Sequence, residues 1–445
     1  MNKITKAAQA GVDPQCLSLA RIIQSQVQQN ADAVAVLAIG RTPLTYYRLY
    51  QLIEDTIRKL NTLGIGRNDR VAIMLPNGPE MATAFLAVAS SATCAPLNPT
   101  YRAHEFDFYL TDLNAKALIV LAGSDSPAVA VAKEHGIKVI ELLPQLAAQA
   151  GVFTLVGESS PLYACGGFAE SEDIALVLHT SGTTSRPKLV PLTQKNIAVS
   201  AHSIETSLAL SSYDRCLNVM PLFHIHGLVG ALLSSLSAGA SIICTPGFYA
   251  TNFFEWMEEF QPTWYTAVPT MHQAVLARAT VNTKIISRCQ LRFIRSSSAA
   301  LPSQVRSDLE ATFSVPVVEA YGMTEASHQI AINPLPPKER KLKSVGLATG
   351  KEIAIINEQG ELLSPGQLGE IVIRGDSVFQ GYENNPTANQ SAFINGWFRT
   401  GDQGILDDEG YLFIIGRIKE LINRGGEKIS PHEIDEILIS HPAVA

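Results

Sequence analysis

The sequence predicts an α/β protein made of several layered units, with a β-rich unit towards its carboxyl end. Short apolar runs typical of buried strands alternate with longer amphipathic runs typical of helices over most of the chain. Near residue 345 this pattern changes to short strands separated by turns that contain Gly and Asn. With 445 residues, of which 46% are hydrophobic, the chain is long and apolar enough for roughly two to four compact units.

Four chain segments follow from this pattern. Residues 1–170 and 171–340 are each predicted to form a layered α/β subdomain, and together with a β-rich subdomain at residues 341–415 they make one large amino-terminal domain. Residues 416–445 are predicted to be only the start of a small carboxyl-terminal domain. The motif SPHEIDEIL begins like a capped helix at Ser430, and one helix cannot bury its apolar face alone, so we expect more of that domain beyond Ala445.

The individual elements follow from local periodicity. Helices are predicted at residues 17–29 and 47–63, and buried parallel strands at residues 70–75, 117–122 and 137–142. Later strands are predicted in the segments LRFIRSS, VPVVEAYG, EIAIINEQGELL, GEIVIRG and GYLFIIGR.

The most apolar stretch, residues 81–97, is predicted to be a buried helix that runs into a turn at residues 96–99. A membrane span needs about 20 mainly apolar residues, and this stretch is shorter and is interrupted by polar side chains. The amino-terminal residues MNKITKAAQAGVD lack the apolar core of a secretory signal. We therefore expect no integral membrane segment.

Composition excludes some functions. A net charge of −7 argues against a broad nucleic-acid-binding surface, although a local basic pocket stays open. The cysteines show neither CxxC spacing nor the histidine neighbours of a zinc site, which predicts free thiols in a reducing compartment. They are Cys16, Cys94, Cys165, Cys216, Cys244 and Cys289.

A polar loop follows the apolar run at residues 174–178, in the sequence LHTSGTTSRPK. Backbone N–H groups in a Gly-containing turn form an anion-binding concavity, and here hydroxyls, Arg186 and Lys188 add donors and positive charge. We interpret the loop as a cradle for a polyphosphate, with a polar surface turn as the alternative. It is not a Walker A loop, because GxxxxGK[ST] is absent.

Three further motifs accompany this loop. YGMTE, at residues 321–325, follows an apolar strand, which is where open α/β sheets bind ligands, and GWFRTGD and GRIKELINRGGEKISP come later. With these motifs in this order, the chain resembles the adenylate-forming superfamily of acyl-CoA synthetases, aryl-CoA ligases, luciferases and peptide-synthetase adenylation domains over about residues 20–445. The resemblance implies that a carboxylate attacks the α-phosphate of ATP, with Mg²⁺ present, and that the thiol of coenzyme A then displaces AMP from the acyl-adenylate.

The resemblance also implies roles for individual residues. The β- and γ-phosphates would be held by Thr180, Ser181, Gly182, Thr183, Thr184 and Lys188. Mg²⁺ would be held by Glu325 with Thr180, and Thr324 would contact the α-phosphate. Adenine would lie among Ser297, Ser298, Ala299, Glu319, Ala320, Tyr321, Gly322 and Met323, with Tyr321 stacked on the base. Asp402 would accept from the ribose, Arg417 would lie nearby, and Lys419 would be the hinge of the small domain.

Simpler interpretations of some of these residues stay open. Asp402 is also typical of a turn, and Arg417 and Lys419 are also typical of an exposed surface. In the family, a lysine of the carboxyl-terminal domain contacts the substrate carboxylate and the α-phosphate, and it would lie beyond Ala445. For residues 1–445 alone we therefore expect nucleotide binding, with adenylation impaired and thioester formation absent.

The predicted acid-binding residues are Arg295, Ser296, His224 and His328. His224, in PLFHIHG, resembles the histidine that closes the acyl site in the family and is counted as catalytic, whereas His226 is expected to be structural. Strand alternation predicts that Leu291, Phe293 and Arg295 share one face. A cation there needs an anion, which is either a protein carboxylate or a second substrate carboxylate held in a bidentate clamp.

The motifs RFIRSSSAAL and MTEASHQIAINPLP, with the two later ones, look most like the oxalyl-CoA synthetases near the coumarate ligases. That resemblance implies an ATP-dependent carboxylic acid–CoA ligase acting on oxalate, in a short, polar and cationic pocket. Malonate, a medium-chain fatty acid or an aryl acid stay open, as do an adenylation enzyme that loads a carrier protein and a non-catalytic nucleotide-binding module. We expect a monomer or homodimer in the cytoplasm, or in the peroxisome of a eukaryote, with no nucleic-acid partner.

Overall fold

The computed structural model describes residues 5–6, 17–160, 164, 166–180, 187–420, 422–424, 427–429, 431, 434 and 438. Over these residues helices and strands alternate in the α/β fold that the sequence predicts. Two large sheets are mainly parallel, and a third is antiparallel. The predicted helix cap at Ser430 lies outside the described residues.

The strands of the described residues are, in chain order, β1 Thr5–Lys6, β2 Val34–Leu37, β3 Leu44–Thr45, β4 Arg70–Met74, β5 Thr93–Pro96, β6 Ala117–Leu121, β7 Lys138–Pro144, β8 Phe153–Val156, β9 Ile174–Thr180, β10 Lys188–Thr193, β11 Arg215–Asn218, β12 Ser241–Cys244, β13 Trp264–Ala267, β14 Phe293–Ser296, β15 Val317–Met323, β16 His328–Ile332, β17 Leu347–Ala348, β18 Glu352–Ile356, β19 Gly369–Arg374, β20 Phe393–Ile394, β21 Trp397–Leu406, β22 Leu412–Arg417, β23 Ile422–Arg424 and β24 Glu427–Ile429. The α-helices are α1 Leu19–Asn30, α2 Tyr46–Thr62, α3 Pro79–Ala89, α4 Ala103–Asp112, α5 Pro127–Glu134, α6 Gln194–Ser207, α7 Ser234–Ser237, α8 Phe253–Phe260, α9 Pro269–Leu276, α10 Thr283–Ile286, α11 Ser303–Phe313 and α12 Pro386–Ala392. A π-helix spans His226–Leu233, and 3₁₀ turns span Ala279–Val281 and Thr324–Ala326.

The first large sheet has seven strands in the order β10-β9-β5-β4-β6-β7-β8. Its inner strands from β9 to β7 run parallel, and antiparallel β10 and β8 close the two edges. Strands β4, β5, β6 and β9 are mostly buried, as expected for strands covered on both faces by helices, whereas β7 is mostly half-buried. The polar loop of the sequence therefore lies between a parallel strand and the edge strand beside it.

The apolar stretch at residues 81–97 is not the single helix that its composition predicts. Helix α3 ends at Ala89, and strand β5 begins at Thr93. Ser90 Oγ donates to Leu86 O at 2.6 Å in the last turn, and Thr93 Oγ1 donates to Ile174 O at 2.8 Å across the sheet. Because helix and strand are both buried on all sides, no polar face marks the change of period. No helix of the described residues is long and apolar enough to cross a membrane.

The second large sheet has nine strands in the order β17-β16-β15-β14-β13-β11-β12-β2-β3. The strands from β15 to β2 are parallel. After β11 the chain adds β12 on one side and β13 on the other, which makes the carboxyl end of β11 a topological switch point. The loops that follow β11, β13, β14 and β15 open at the same edge of this sheet, where α/β proteins bind ligands.

The third sheet is antiparallel and has the order β1-β18-β19-β21-β20, with β22 paired to β21. Strand β21 carries the motif WFRTGD, and its residues alternate between buried and half-buried. The large sheets exchange strands across residue 170, since β2 and β3 join the nine-stranded sheet and β9 and β10 join the seven-stranded one. The segment boundary at residue 170 thus does not separate sheets, and the division into four segments stays a prediction.

Candidate active site

A cleft of about 380 Å³ lies at the carboxyl ends of the parallel strands of the nine-stranded sheet. Its volume is in the usual range for small-molecule sites. The cleft is reached by the end of β9, by the loops after β11, β13 and β14, and by the end of β15. Its lining residues are Leu178, His179, Met220, Phe223, His224, Ile225, His226, Val268, Ser298, Gly322, Met323, Thr324 and His328.

The two ends of the predicted phosphate loop are held side by side. Thr180, the last residue of β9, is the register partner of Lys188, the first residue of β10. The Lys188 Nζ lies 4.5 Å from the centroid of the Tyr382 ring. Residues 181–186, which include the predicted Ser181, Gly182, Thr183 and Thr184, lie outside the described residues.

Glu325 lies on the 3₁₀ turn after β15 and is buried. Its Oε1 accepts a hydrogen bond from the Tyr382 hydroxyl at 2.8 Å, and its carbonyl accepts from the N–H of Phe379 at 2.8 Å. Thr324, beside it, lines the cleft. The carboxylate of Glu325 is therefore held in one orientation at the end of the cleft that is next to Lys188.

The donor set suits Mg²⁺ carried in with a nucleotide. Mg²⁺ prefers oxygen ligands and is usually bound by one or two carboxylates together with substrate phosphates. Glu325 and Thr180 offer a carboxylate and a hydroxyl, both hard oxygen donors. Within the described ranges no three His, Cys, Asp or Glu side chains cluster as an all-protein metal site would require.

The predicted nucleoside residues meet at one point. The Tyr321 hydroxyl donates to Asp402, and Arg417 Nε lies 3.0 Å from Asp402 Oδ1. Asp402 and Arg417 are register partners on β21 and β22. Burial raises the pKa of Asp402, although the charge of Arg417 opposes that effect. Burial and then Asp402 raise the pKa of the Tyr321 hydroxyl, so it stays a donor at neutral pH.

The two segments predicted to border adenine are also adjacent. Ser297 is buried and its Oγ donates to Ala320 O at 3.0 Å, which ties the end of β14 to β15. Ser298 and Met323 line the cleft, whereas Ala299 is exposed. Glu319 is on β15 as the register partner of Ser296.

Arg295 forms the centre of a buried polar cluster at the acid end of the cleft. Its Nη1 lies 3.1 Å from Thr266 Oγ1 and 3.2 Å from His226 Nε2. Its Nη2 lies 3.1 Å from His328 Nε2 and 2.9 Å from Gln329 Oε1. All of these partners are neutral, and no carboxylate of the described chain forms an ion pair with this fully buried cation. Burial lowers the pKa of the guanidinium, which is still protonated at neutral pH.

These contacts fix the tautomers of two histidines. A guanidinium has only donors, so the Nε2 atoms of His226 and His328 are assigned as acceptors, and each neutral ring carries its proton on Nδ1. The Thr266 hydroxyl, 2.7 Å from His226 Nε2, then donates to that nitrogen. Burial and then the charge of Arg295 hold the pKa of both imidazoles well below the usual value, so both rings are neutral at pH 7. The rings stack with centroids 4.9 Å apart, and His226 Nδ1 lies 3.0 Å from Ser298 Oγ. His226 thus donates to Ser298, and Ser298 keeps its own hydroxyl proton to donate.

The geometry does not offer the predicted bidentate clamp. Both Nη nitrogens already have protein acceptors, and Arg295 is fully buried behind His226 and His328 and does not line the cleft. Leu291 lies before β14 and packs with Ile294, so it does not share the face of Phe293 and Arg295 as predicted.

The other predicted acid residues are placed unequally. Ser296 follows Arg295 on β14 and so points to the opposite face, and it does not line the cleft. His224 is at the cleft surface with its ring 4.5 Å from that of Phe223. His226, predicted to be structural, contacts Arg295 and lines the cleft. Lys419 is exposed.

Sequence reasoning missed several residues that the structure places at the site. Thr266 and Tyr382 are in no quoted motif, and Gln329 lies in MTEASHQIAINPLP but was not singled out. All three become site residues only through contacts between distant segments. Ser298 and His328 have φ of +73° and +97°, a strained conformation that costs roughly 1–3 kcal/mol per residue and is concentrated at functional sites. Gly230, on the π-helix, lies against His328, and a Cβ at this position would be 2.5 Å from the His328 ring. The structural reason for a glycine here is therefore this close approach.

A buried lysine supports the turn between β15 and β16, next to His328. Lys351 Nζ donates to Ala326 O at 3.0 Å and to Gln329 O at 2.6 Å, and no carboxylate of the described residues is paired with it. Burial lowers its pKa to about 7. From about pH 7 to about pH 10 the unfolded chain binds a proton on this amine that the folded protein does not, so the free energy of unfolding rises with pH.

Lys351→Met is therefore expected to flatten the pH dependence of stability between about pH 7 and pH 10. Urea unfolding at several pH values measures the effect, with the exposed Lys133→Met as the substitution control. Parallel curves for the wild type and Lys351→Met would show that the amine is protonated in the folded protein.

Comparisons with known proteins identify the family. Residues 23–383 match the family model of AMP-binding enzymes, and the chain belongs to that family. It is 44% identical over 434 residues to an Arabidopsis thaliana protein named oxalate–CoA ligase, covering 96% of this chain and 84% of that protein. A Saccharomyces cerevisiae protein of the same name is 42% identical over 404 residues, covering 85% and 74% of the two chains.

The fold is similar to that of O-succinylbenzoate coenzyme A synthetase from Bacillus subtilis in complex with ATP and magnesium ion. The TM-score is 0.79 at 28% sequence identity, over 95% of this chain and 85% of that one. The family and the α/β adenylate-forming fold that the motifs predicted are thereby confirmed.

Proposed function

We propose that the protein is an ATP-dependent acid–CoA ligase that converts oxalate to oxalyl-CoA through oxalyl-adenylate. The relatives named oxalate–CoA ligase support the ligase class and the acid. The observation that carries the choice of acid is the buried Arg295, which has no protein counterion in the described chain and lies behind a wall of N–H and O–H donors.

In the first step, one oxygen of the carboxylate attacks the α-phosphorus of ATP. The bond from that phosphorus to the bridging oxygen of the β-phosphate breaks, and pyrophosphate leaves with the electron pair. The carboxylate and the polyphosphate repel each other, so positive charge and donors must be in place beforehand. Lys188 and Thr180 supply them at the phosphate end, and Glu325 with Thr180 would hold Mg²⁺, which neutralises phosphate charge when bound.

Asp402 fixes the other end of the nucleotide. Its buried carboxylate is aimed by Tyr321 and Arg417 and would accept from the ribose hydroxyls. Holding the ribose and the phosphates at separate points orients the α-phosphorus for attack.

In the second step, the sulfur of coenzyme A attacks the carbonyl carbon of oxalyl-adenylate. A carbon–sulfur bond forms, the carbon–oxygen bond to AMP breaks, AMP leaves, and the thiol proton is released. The product is the thioester, and the acid keeps its second carboxylate throughout.

The second carboxylate explains the preference for oxalate. It would face the Nδ1–H of His328 and the hydroxyl of Ser298, with the charge of Arg295 behind them. A fatty acid would leave the buried Nδ1–H of His328 without an acceptor, which costs about 1–3 kcal/mol, and would leave the exposed Ser298 hydroxyl to water. Sites built on such hydrogen bonds discriminate more strongly than apolar pockets do.

Acid-dependent pyrophosphate release by the complete gene product, with Mg-ATP and coenzyme A, tests the proposal. Oxalate, malonate, octanoate and coumarate are compared side by side. We expect kcat/KM for oxalate to exceed that for octanoate by at least about 100-fold. A preference for octanoate or coumarate would overturn the assignment of the acid and leave adenylate formation intact.

We also propose that the enzyme acts as a monomer or homodimer in the cytoplasm, or in the peroxisome of a eukaryote. The described Cys94, Cys216, Cys244 and Cys289 are all free thiols, which is typical of a reducing compartment. Sedimentation of the purified protein tests the oligomeric state, and imaging of a tagged protein tests the location.

A further inference from the structure

Tyr382 joins two residues of the phosphate end that carry opposite charges. Its ring face lies 4.5 Å from Lys188 Nζ, and its hydroxyl donates to Glu325 Oε1 at 2.8 Å. The three residues come from three separate chain segments: β10, the turn after β15 and the loop after β19. One buried aromatic ring therefore lies between the ammonium and the carboxylate.

The loop that carries Tyr382 is held on both sides. Phe379 N–H donates to Glu325 O, and Glu383 N–H donates to Leu189 O, so the main chain is bonded to both charged segments. Asn389 closes the loop from behind, with Oδ1 accepting from Tyr382 N–H and Nδ2 donating to Tyr382 O, both at 2.8 Å. The ring is therefore fixed with respect to both of its partners.

The ring also prevents a competing interaction. Lys188 and Glu325 form no ion pair in the part of the chain that the structure describes. A direct pair between them would neutralise the cation intended for phosphate and the carboxylate intended for metal. A Lys–aromatic contact keeps the ammonium charged and attracts it by about 0.5–2 kcal/mol.

We propose that Tyr382 is a positioning residue that keeps Lys188 and Glu325 apart and directs them to opposite charges of one ligand, a polyphosphate with its divalent cation. The ring face holds the lysine and the hydroxyl holds the carboxylate, so the two functions can be separated by substitution. This inference rests on the proposed function, because it assigns a supporting residue to the same nucleotide site.

The test measures binding without any carboxylic acid, on the wild type, Tyr382→Phe, Tyr382→Leu and the double variant Tyr382→Leu/Glu325→Gln. Calorimetry gives the dissociation constant of ATP without metal, and electron paramagnetic resonance gives that of Mn²⁺ with ATP bound. Tyr411 supplies a matched control, because Lys341 Nζ lies 4.5 Å from its ring centroid and its hydroxyl donates to Glu339 O at 2.7 Å, outside the cleft.

Tyr382→Phe is expected to weaken Mn²⁺ binding by about 5–10-fold and to leave metal-free ATP binding within about twofold, because only the bond to Glu325 is lost. Tyr382→Leu is expected to weaken metal-free ATP binding by about tenfold or more, because Lys188 and Glu325 can then pair. Removing the carboxylate in the double variant should restore metal-free ATP binding to within about threefold. Tyr411→Phe and Tyr411→Leu should change neither constant.

The proposal would be overturned if Tyr382→Phe bound Mn²⁺ as tightly as the wild type does. It would also be overturned if the double variant did not recover metal-free ATP binding. If Tyr382→Leu does not fold, as judged by circular dichroism, the Phe variant decides alone. A wrong choice of acid leaves all these binding constants unaffected. Failure of the wild type to release pyrophosphate with any acid would count against the proposed function and not against the role of Tyr382.

Discussion

Arg295→Met is expected to lower kcat/KM for oxalate by about 10²–10⁴-fold and to change the dissociation constant of Mg-ATP by less than about threefold. Truncating one partner of a buried charge interaction typically costs about 2–5 kcal/mol. Here the lost group is the Arg295 guanidinium, whose charge lies behind the His328 and Ser298 donors. Without the guanidinium, the Nε2 atoms of His226 and His328 are no longer forced to accept, so the tautomers that direct Nδ1–H towards the cleft lose their support.

The measurement compares oxalate, malonate and octanoate within each variant. Arg295→Lys should fall between wild type and Arg295→Met, because an ammonium keeps the charge but has three donors for the four acceptors that the guanidinium contacts. Arg215→Met is the control, since Arg215 is half-buried on β11 and donates to Phe260 O at 2.6 Å. Equal losses for octanoate and for the two dicarboxylates would show that Arg295 only stabilises the fold.

Asp402→Asn is expected to weaken ATP binding by about 10–100-fold. The substitution keeps the shape and an acceptor for the Tyr321 hydroxyl, but it removes the charge that Arg417 pairs with and that the ribose hydroxyls would donate to. Hydrogen bonds to charged groups contribute about 1.5–3 kcal/mol, which is the basis of the expected range.

A nucleotide without ribose hydroxyls separates binding from general damage. Wild-type protein should bind 2′,3′-dideoxy-ATP more weakly than ATP. Asp402→Asn should bind the two nucleotides nearly equally, because the substitution has already removed the hydrogen bonds that the dideoxy nucleotide cannot form. Tyr321→Phe keeps the ring and removes one of the two groups that aim Asp402, so it should weaken ATP binding less than Asp402→Asn does. A dideoxy penalty that is undiminished in Asp402→Asn would remove Asp402 from the ribose site.

The residues of the nucleotide site were assigned from the resemblance of local motifs to the adenylate-forming superfamily, and their roles stay predictions. The polar loop, YGMTE and WFRTGD each follow or lie on a strand, and strand periodicity shows where those strands end. The structure then brings Tyr321, Asp402 and Arg417 into contact and places Thr180 beside Lys188. The loop residues 181–186 stay predictions.

The acid site was predictable only in part. A cation at the end of β14 indicated a need for an anion, but whether its partner was protein or substrate could not be decided from one strand. The partners of Arg295 come from β13, the π-helix and β16, which are far apart in sequence. For the same reason the role of His226 was not predicted. It shares a motif with His224, and only the fold shows that His226, the first residue of the π-helix, contacts Arg295.

Periodicity and strand-end position were thus sufficient for the α/β class and for most helices and strands, whereas the chemistry of the phosphate and ribose ends followed from the resemblance to the adenylate-forming superfamily. Tertiary structure alone decided which strands join which sheet, where helix α3 gives way to β5, and that Arg295 lies behind two histidines without a carboxylate in the described chain. The physical reason is that local sequence sets backbone conformation and the side of a strand, whereas burial and hydrogen-bond partners depend on segments that meet only when the sheets assemble.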